Sequence, residues 1–200
     1  EPERGYGPVG VQLEAKPEGD GFRLSGTKLH VYFGSVSDRL IVLARTEAGI
    51  DLFLVDPSGS GVERIQHKTM ASDAQFEGRF DRVAVGEEDR IGGAGTGWST
   101  WTELMREGII LLAGQAIGGA GRALEITVEY AKQRQQFGKP LGAFQSLAHY
   151  MADAATSIDG GRTLVYEAAW ARDRGRGIRR LAPMAKAFAC ETFTETTKTA

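Results

Sequence analysis

The pattern of apolar and polar positions changes character along the chain near residue 95. Before that point, short apolar or alternating runs rich in Val, Ile, Leu and Phe are separated by turn-forming residues. Such runs, repeated about every ten residues, predict β-strands. They are Phe22–Leu24, Leu29–Phe33, Leu40–Arg45, Asp51–Val55, Val62–Ile65 and Phe76–Val85. We therefore expect residues 1–95 to form an antiparallel β-barrel or sandwich.

Two segments of this first part carry more specific expectations. The run Leu40–Ala44 is continuously apolar, which predicts a strand that is covered on both faces. The stretch Gly92–Gly97 is rich in glycine, but it has neither the lysine of a P-loop nor the spacing of a dinucleotide-binding fingerprint. We interpret it as a flexible linker that leads into a helix.

Beyond the linker, the apolar period becomes helical. From Trp98 to about Gln136, apolar residues recur at steps of three or four, which predicts one long helix. Pro140 ends the pattern, because a proline disfavours helical geometry at the residue before it.

Two further helices are expected after Pro140. One runs from about Ala143 to Arg174 and the other begins at Leu181, with the arginine-rich stretch Arg172–Arg180 as a solvated connection. Antiparallel helices with short connections form an up-down bundle. The predicted fold class is therefore α+β with two domains, a β domain over residues 1–95 and a helical bundle over residues 96–200.

Composition argues against several classes of protein. The formal net charge of -2 argues against a nucleic-acid partner, because phosphate recognition needs a positive field. We find no apolar run close to the roughly 18 residues that cross a bilayer. The single cysteine, Cys190, excludes an internal disulfide, suggests a buried side chain and fits a reducing, cytoplasmic compartment. The three histidines, His30, His67 and His149, are too scattered to predict a metal site.

The end of the first predicted helix carries candidate chemistry. Arg134 and Phe137 are three residues apart, so a helix would place them on one face. A guanidinium pairs with phosphate oxygens, and a phenylalanine ring offers a surface to a flat base such as adenine. The residue types alone leave two interpretations open: a dinucleotide contact, or a surface arginine beside a phenylalanine that covers the end of the helix.

A string of residues around the end of this helix bears on that choice. The string from Tyr130 to Leu141, followed by Phe144-Gln145, resembles a signature of the acyl-CoA dehydrogenase family, which is Tyr-Ala, Arg-x-x-Phe-Gly and Phe-Gln or His-Gln. Shorter strings resemble family motifs in the same order along the chain. They are Glu1-Pro2, Gly26-Thr27-Lys28, Ser37-Asp38, Phe80–Val85 and Gly97-Trp98.

The resemblance implies a function and a set of contacts. In the family this segment reaches across a dimer interface to the FAD of the partner chain. By that likeness Arg134 contacts the pyrophosphate, Phe137 lies near the adenine and Gln145 adds a polar contact. The implied reaction is α,β-dehydrogenation of an acyl-CoA thioester, with hydride transfer to the flavin N5. An electron-transfer flavoprotein or a similar acceptor is the implied redox partner, and a homodimer, homotetramer or related heterotetramer the implied assembly.

The sequence departs from the family pattern at the flavin-side strand. Many members have Trp-Ile-Thr where this chain has His30-Val31-Tyr32. Position along the chain implies that His30 and Tyr32 lie near the flavin, and their side chains can hydrogen-bond there. The alternative is a pair of ordinary strand residues on one face of the β domain.

A catalytic base is not evident. In a minority of the family the base lies on the first bundle helix, where this chain has Gly108 and Ile109. Glu103 and Glu107 are nearby at a different offset, and we expect them to be solvated or ion-paired. In most members the base lies in a later helix, so we expect it beyond Ala200 in a chain cut at both ends. The alternatives are a non-catalytic or half-site subunit of a heteromeric enzyme, and a bare interaction module.

Overall fold

The computed structural model describes residue 5 and residues 7–200, so the Glu1-Pro2 pair lies outside the described residues. Backbone contacts divide the chain into two compact units, Glu1–Thr102 and Glu103–Ala200. We call them the β unit and the helical unit and describe each by itself.

Seven strands of the β unit form one sheet. They are β1 (Glu14–Glu18), β2 (Gly21–Tyr32), β3 (Leu40–Thr46), β4 (Gly49–Val55), β5 (Val62–His67), β6 (Gln75–Gly86) and β7 (Arg90–Ile91). Their order in the sheet is β5-β6-β2-β1-β3-β4-β7. Short 3-10 turns occupy Pro8–Gly10 and Glu87–Asp89.

The sheet is mixed, and a closed barrel is not confirmed. Strands β1 and β3 pair in parallel through Glu14 and Arg45, whereas the other neighbours are antiparallel. The parallel pair arises because the chain reverses twice between these strands, so that β3 runs in the direction of β1. In the part of the chain that the structure describes, β5 and β7 end the sheet and do not pair with each other.

The sequence prediction of strands holds for most of the β unit and misses one. The predicted runs Phe22–Leu24 and Leu29–Phe33 belong to the single long strand β2. Strand β1 was not predicted, because its sequence is charged and contains Pro17. It forms by pairing along β2, with Glu18 opposite Gly21 across a tight turn.

Burial differs from the expectation in β3 and β4. Strand β3 alternates, and Ile41 is 49% exposed, so the prediction that Leu40–Ala44 is covered on both faces is wrong. The neighbouring strand β4 is buried on consecutive positions instead, including Asp51, which is 0% exposed. A strand that is covered on both faces shows no alternation, and here the fully covered strand carries a carboxylate.

That carboxylate fastens the glycine-rich stretch Gly92–Gly97 to the sheet. The Gly95 N–H donates to Asp51 Oδ1 at 2.6 Å, and the Thr46 hydroxyl donates to Asp51 Oδ2 at 3.0 Å. A Cβ placed on Gly97 would lie 2.5 Å from the Asp51 Cα, so only glycine allows this approach. The stretch does lead into a helix, as expected, because α1 begins at Gly97. The expectation of flexibility is wrong at its end, where Gly95 and Gly97 are held against β4.

The helical unit is built from three long helices. They are α1 (Gly97–Gln133, whose first residues belong to the β unit), α2 (Gln145–Asp173) and α3 (Leu181–Thr199). Their shared core contains Ile110, Ala113, Ile117, Ile158 and Ala185. Helix α3 begins where the sequence predicts, and the connection before it is exposed except for the buried Ile178. Cys190 is only partly buried, in contrast to the expectation.

Helix α1 meets a weak criterion for a membrane span. By length and composition it is the one described helix that could cross a bilayer, which differs from the sequence expectation. The central helix of a packed bundle passes the same test. Ile110, Ala113, Ile117 and Ala120 place one face of α1 in the core shared with α2 and α3.

Candidate functional site

The chain between α1 and α2 forms a tight hairpin. Strand β8 (Gln135–Gln136) pairs with β9 (Lys139–Pro140), and the Leu141 N–H donates to the Arg134 carbonyl at 2.9 Å. Phe137 and Gly138 form the turn, with φ angles of 52° and 79°. Two consecutive positive φ angles in a two-residue loop are typical of a type I′ turn.

This geometry corrects one expectation. Arg134 and Phe137 do not share a helical face, because α1 ends at Gln133. The chain reverses here because Gly138 accepts a positive φ freely. Pro140 has no N–H and cannot continue a helix. Arg134 stands at the base of the hairpin and Phe137 at its tip.

Phe137 is held in an unusual position for a large apolar residue. Its positive φ costs about 1–2 kcal/mol for an L-residue other than glycine, and its side chain is 92% exposed. The ring contacts one other aromatic group, the edge of Phe144, at a centroid distance of 6.3 Å and an angle of 82°. Strained backbone positions are frequent at ligand-binding sites.

The surroundings of the hairpin are positive. Residues 130–152 contain no Asp or Glu, whereas Lys132, Arg134 and Lys139 lie among them. Lys132 pairs with Glu129 at 2.8 Å, and the Lys139 Nζ lies 4.2 Å from the centroid of the Phe144 ring. Among the described residues, the exposed Arg134 side chain has no hydrogen bond or ion pair. Its guanidinium is available to an anion.

Gln145 completes the group. It is the first residue of α2, directly after Phe144, and it is exposed. We call Arg134, Phe137, Lys139, Phe144 and Gln145 the hairpin cluster. A free guanidinium, an exposed ring and an exposed amide are suited to a ligand that combines phosphate charge with a flat base. Lys139 and Phe144 were not singled out from the sequence as site residues, although both lie within the signature string.

The other predicted residues, His30 and Tyr32, lie on β2 in the β unit. A β-bulge interrupts the pairing of β2 with β6 between Lys28 and Val31, and His30 within it has a φ of 56°. His30 is exposed and Tyr32 is 55% exposed. Bulges re-aim side chains and are frequent beside functional sites.

His30 belongs to a chain of polar contacts that sequence reasoning missed. His30 Nδ1 lies 2.8 Å from Gln75 Oε1, and Gln75 Nε2 donates to Asp73 Oδ2 at 2.7 Å. The Thr69 hydroxyl donates to the other oxygen of Asp73. Hydrogen bonds from Thr69, and then from Gln75, lower the pKa of Asp73. We call these four residues the histidine chain; no local sequence signal predicts it, because it depends on the pairing of β2 with β6.

The two carboxylates considered as bases are both engaged. Glu103 forms an ion pair with Arg106, and Glu107 pairs with Arg172 at 2.6 Å. The hydrogen bond and charge of Glu107 raise the pKa of Arg172. Both contacts agree with the expected ion-paired role. In the described part of the chain, no group of three or more His, Cys, Asp or Glu side chains is arranged to hold a metal ion.

Comparisons with known proteins give the family context. Residues 95–200 match the model of the family described as acyl-CoA dehydrogenase, C-terminal domain. Subunit CarC of the caffeyl-CoA reductase-Etf complex of Acetobacterium woodii is 32% identical over 203 residues, which cover 98% of this chain and 54% of that protein.

Solved structures agree in fold. Butyryl-CoA dehydrogenase from Megasphaera elsdenii aligns with a TM-score of 0.90 and 33% identity, covering 94% of this chain and 52% of that one. PigA with FAD and proline aligns with a TM-score of 0.88 and 27% identity, covering 97% and 54%. The chain thus spans about half the length of the relatives it matches.

Proposed function

Because the chain belongs to the acyl-CoA dehydrogenase family, we propose that it is part of an FAD-dependent oxidoreductase that removes hydrogen from the α and β carbons of an acyl-CoA thioester. The observation that carries the proposal is the hairpin cluster, in which an unpartnered arginine and a strained, exposed phenylalanine occur together in a segment without acidic residues. These features fit the pyrophosphate and adenine of a dinucleotide.

In this proposal, each residue of the hairpin cluster contacts a different part of the dinucleotide. The Arg134 guanidinium pairs with pyrophosphate oxygens, and Lys139 adds positive charge near Phe144. Phe137 presents its ring to the adenine, and Gln145 offers an amide to a polar group of the ligand. Because the cluster is exposed, we place it against an FAD that is bound mainly by a second copy of the chain or by a related subunit.

The β unit contributes its own residues to the proposed function. His30 and Tyr32, on the strand that precedes the β2–β3 turn, are proposed to lie beside the flavin ring. FAD, when bound, accepts hydride from the substrate. The described carboxylates Glu103 and Glu107 are ion-paired, and we assign neither of them as the base that removes the α-proton.

The names of the relatives support the proposed partners. CarC is a subunit of a complex that contains Etf, and the Megasphaera protein is a butyryl-CoA dehydrogenase. We accordingly propose an acyl-CoA substrate, an electron-transfer flavoprotein or similar acceptor, and a homodimer, homotetramer or related heterotetramer as the assembly.

The proposal is tested by FAD binding to the chain, followed by the quenching of flavin fluorescence. Replacement of Arg134 by Ala removes charge-assisted hydrogen bonds worth about 1.5–3 kcal/mol, so the dissociation constant should rise by roughly 10- to 100-fold. Arg174→Ala is the matched control, since Arg174 is an exposed arginine of the helical unit that has no ion pair among the described residues. Equal affinities of the two variants, or no binding by the parent chain, would overturn the proposal.

A further inference from the structure

The histidine chain fixes which nitrogen of His30 carries a proton. Its starting point is Asp73, whose pKa is lowered by hydrogen bonds from Thr69 and Gln75. At neutral pH this carboxylate is ionised and can only accept hydrogen bonds. The side-chain group of Gln75 that lies 2.7 Å from it must therefore be the NH2 group, which donates.

The orientation of the Gln75 amide then decides the state of His30. With its NH2 group held by Asp73, the amide presents its carbonyl oxygen to His30 Nδ1 at 2.8 Å. A carbonyl oxygen cannot donate, so Nδ1 must carry the hydrogen. In a neutral imidazole the other nitrogen, Nε2, is then unprotonated and accepts hydrogen bonds.

We propose that Asp73 and Gln75 are positioning residues that hold neutral His30 as the Nδ1–H tautomer, so that Nε2 accepts a hydrogen bond from a donor group of the ligand that covers β2. The choice of ligand rests on the proposed function. FAD carries donors of this kind in its ribityl hydroxyls and its ring N3–H. A ligand that offers only acceptors at this point is disfavoured.

The backbone supports a directed role for His30. The residue lies in the bulge of β2 with a φ of 56°, a conformation that is uncommon for a residue other than glycine. Its side chain is exposed while its Nδ1 is engaged. His67 provides an internal contrast, because it turns the other nitrogen, Nε2, towards the Glu77 carboxylate at 3.5 Å.

The tautomer is read directly from long-range 15N–1H correlation spectra of the imidazoles, recorded at about pH 8.5, where an ordinary histidine is neutral. The chain has three histidines, so the spectra of His30→Gln and His67→Gln together assign the signals. We expect His30 to show a protonated Nδ1 and a bare Nε2, and His67 the opposite pattern. An Nε2–H tautomer at His30 in the parent chain would overturn the proposal.

Two variants separate positioning from general structure. Asp73→Asn lets the Gln75 amide turn over, so His30 should lose its single tautomer and show both. Asp81→Asn, at an exposed position of β6, should leave the pattern unchanged. Should Asp73→Asn fail to fold, Gln75→Met removes the acceptor without a change of charge and should give the same mixture. A single unchanged tautomer in a folded variant contradicts the proposal.

Addition of FAD tests the ligand. We expect the His30 Nε2 signal to move on binding, and His30→Phe, which keeps a ring but no acceptor, to weaken FAD binding roughly fivefold, the size of one hydrogen bond. If FAD binds with no change at Nε2 and no loss in His30→Phe, the assignment of the ligand is wrong. If FAD does not bind at all, the proposed function fails while the tautomer result stands.

Discussion

Two sites, the buried Asp51 of the β unit and the exposed hairpin cluster of the helical unit, differ in whether their polar groups have partners within the protein. In the β unit, Asp51 is fully buried and each of its oxygens accepts a hydrogen bond from the protein. Throughout the described residues, no buried side-chain nitrogen or oxygen lacks a hydrogen-bond partner. In the hairpin cluster of the helical unit, the Arg134 side chain has no hydrogen bond or ion pair among the described residues, and Phe137 is exposed on a strained turn. The comparison separates polar groups that stabilise the fold from groups that are left for a ligand.

The largest effect should follow removal of Asp51. Asp51→Ala leaves the Gly95 N–H, the Thr46 hydroxyl and the Arg90 guanidinium, 3.4 Å from the carboxylate, without this acceptor. We expect the free energy of unfolding to fall by about 3 kcal/mol, measured by urea denaturation followed by circular dichroism.

The matched control is Asp81→Ala, at an exposed aspartate of β6. Surface changes of this kind usually stay within about 0.5 kcal/mol. A similar, small loss for both variants would show that the buried carboxylate contributes little to the fold, and the contrast between the two units would disappear.

At the tip of the hairpin, we expect a substitution to weaken FAD binding without lowering the free energy of unfolding. Asn accepts a positive φ and is favoured before Gly in type I′ turns, so Phe137→Asn should leave the free energy of unfolding unchanged or raise it by up to about 1 kcal/mol. FAD binding should nevertheless weaken about tenfold, because the ring that we propose to contact the adenine is lost. Both quantities are measured on the same preparation. A variant that is clearly less stable would mean that Phe137 serves the fold.

The smallest effect concerns acid stability. Hydrogen bonding and charge from Arg23, with a smaller contribution from Arg82, lower the pKa of Glu18 below its ordinary value. A carboxylate with a lowered folded-state pKa stabilises the protein above its unfolded pKa, and this stability is lost as the pH falls through the lowered value.

Glu18→Gln should therefore have a lower urea midpoint than the parent near pH 7, and the two midpoints should converge below about pH 4. Glu47→Gln, in the turn between β3 and β4, is an exposed control without an ion pair among the described residues. A difference for Glu18→Gln that persists unchanged in acid would show that the charge of Glu18 is not its source.

Local patterns predicted most of the architecture. The change from strands to helices and the start of α3 at Leu181 follow from apolar period and turn chemistry, which act over a few residues. Arg134, Phe137 and Gln145 were found by resemblance of a short string. Their roles towards FAD stay predictions, as do those of His30 and Tyr32.

The features that could not be predicted from the sequence depend on pairing between segments that are distant along the chain. The parallel contact of β1 with β3 and the burial of Asp51 arise only once the sheet is assembled. The same is true of the histidine chain, which joins β2 to Gln75 at the start of β6 and to Asp73 just before it. The prediction extended the first helix to about Gln136 because the apolar period continues past Gln133. The backbone geometry of this segment is instead determined by Gly138 and Pro140, which favour the hairpin.

The central claim is that the hairpin cluster recognises the pyrophosphate and adenine of FAD. Competition by fragments of FAD tests it most directly: the chain is saturated with FAD, and ADP or FMN is titrated in while flavin fluorescence is followed. ADP should displace FAD from the chain. The dissociation constant of ADP, obtained from the displacement curve and the FAD affinity of the same variant, should rise at least tenfold in Arg134→Ala, whereas that of FMN should not depend on Arg134. Displacement by FMN alone, or a dissociation constant of ADP that is the same with and without Arg134, would contradict the claim.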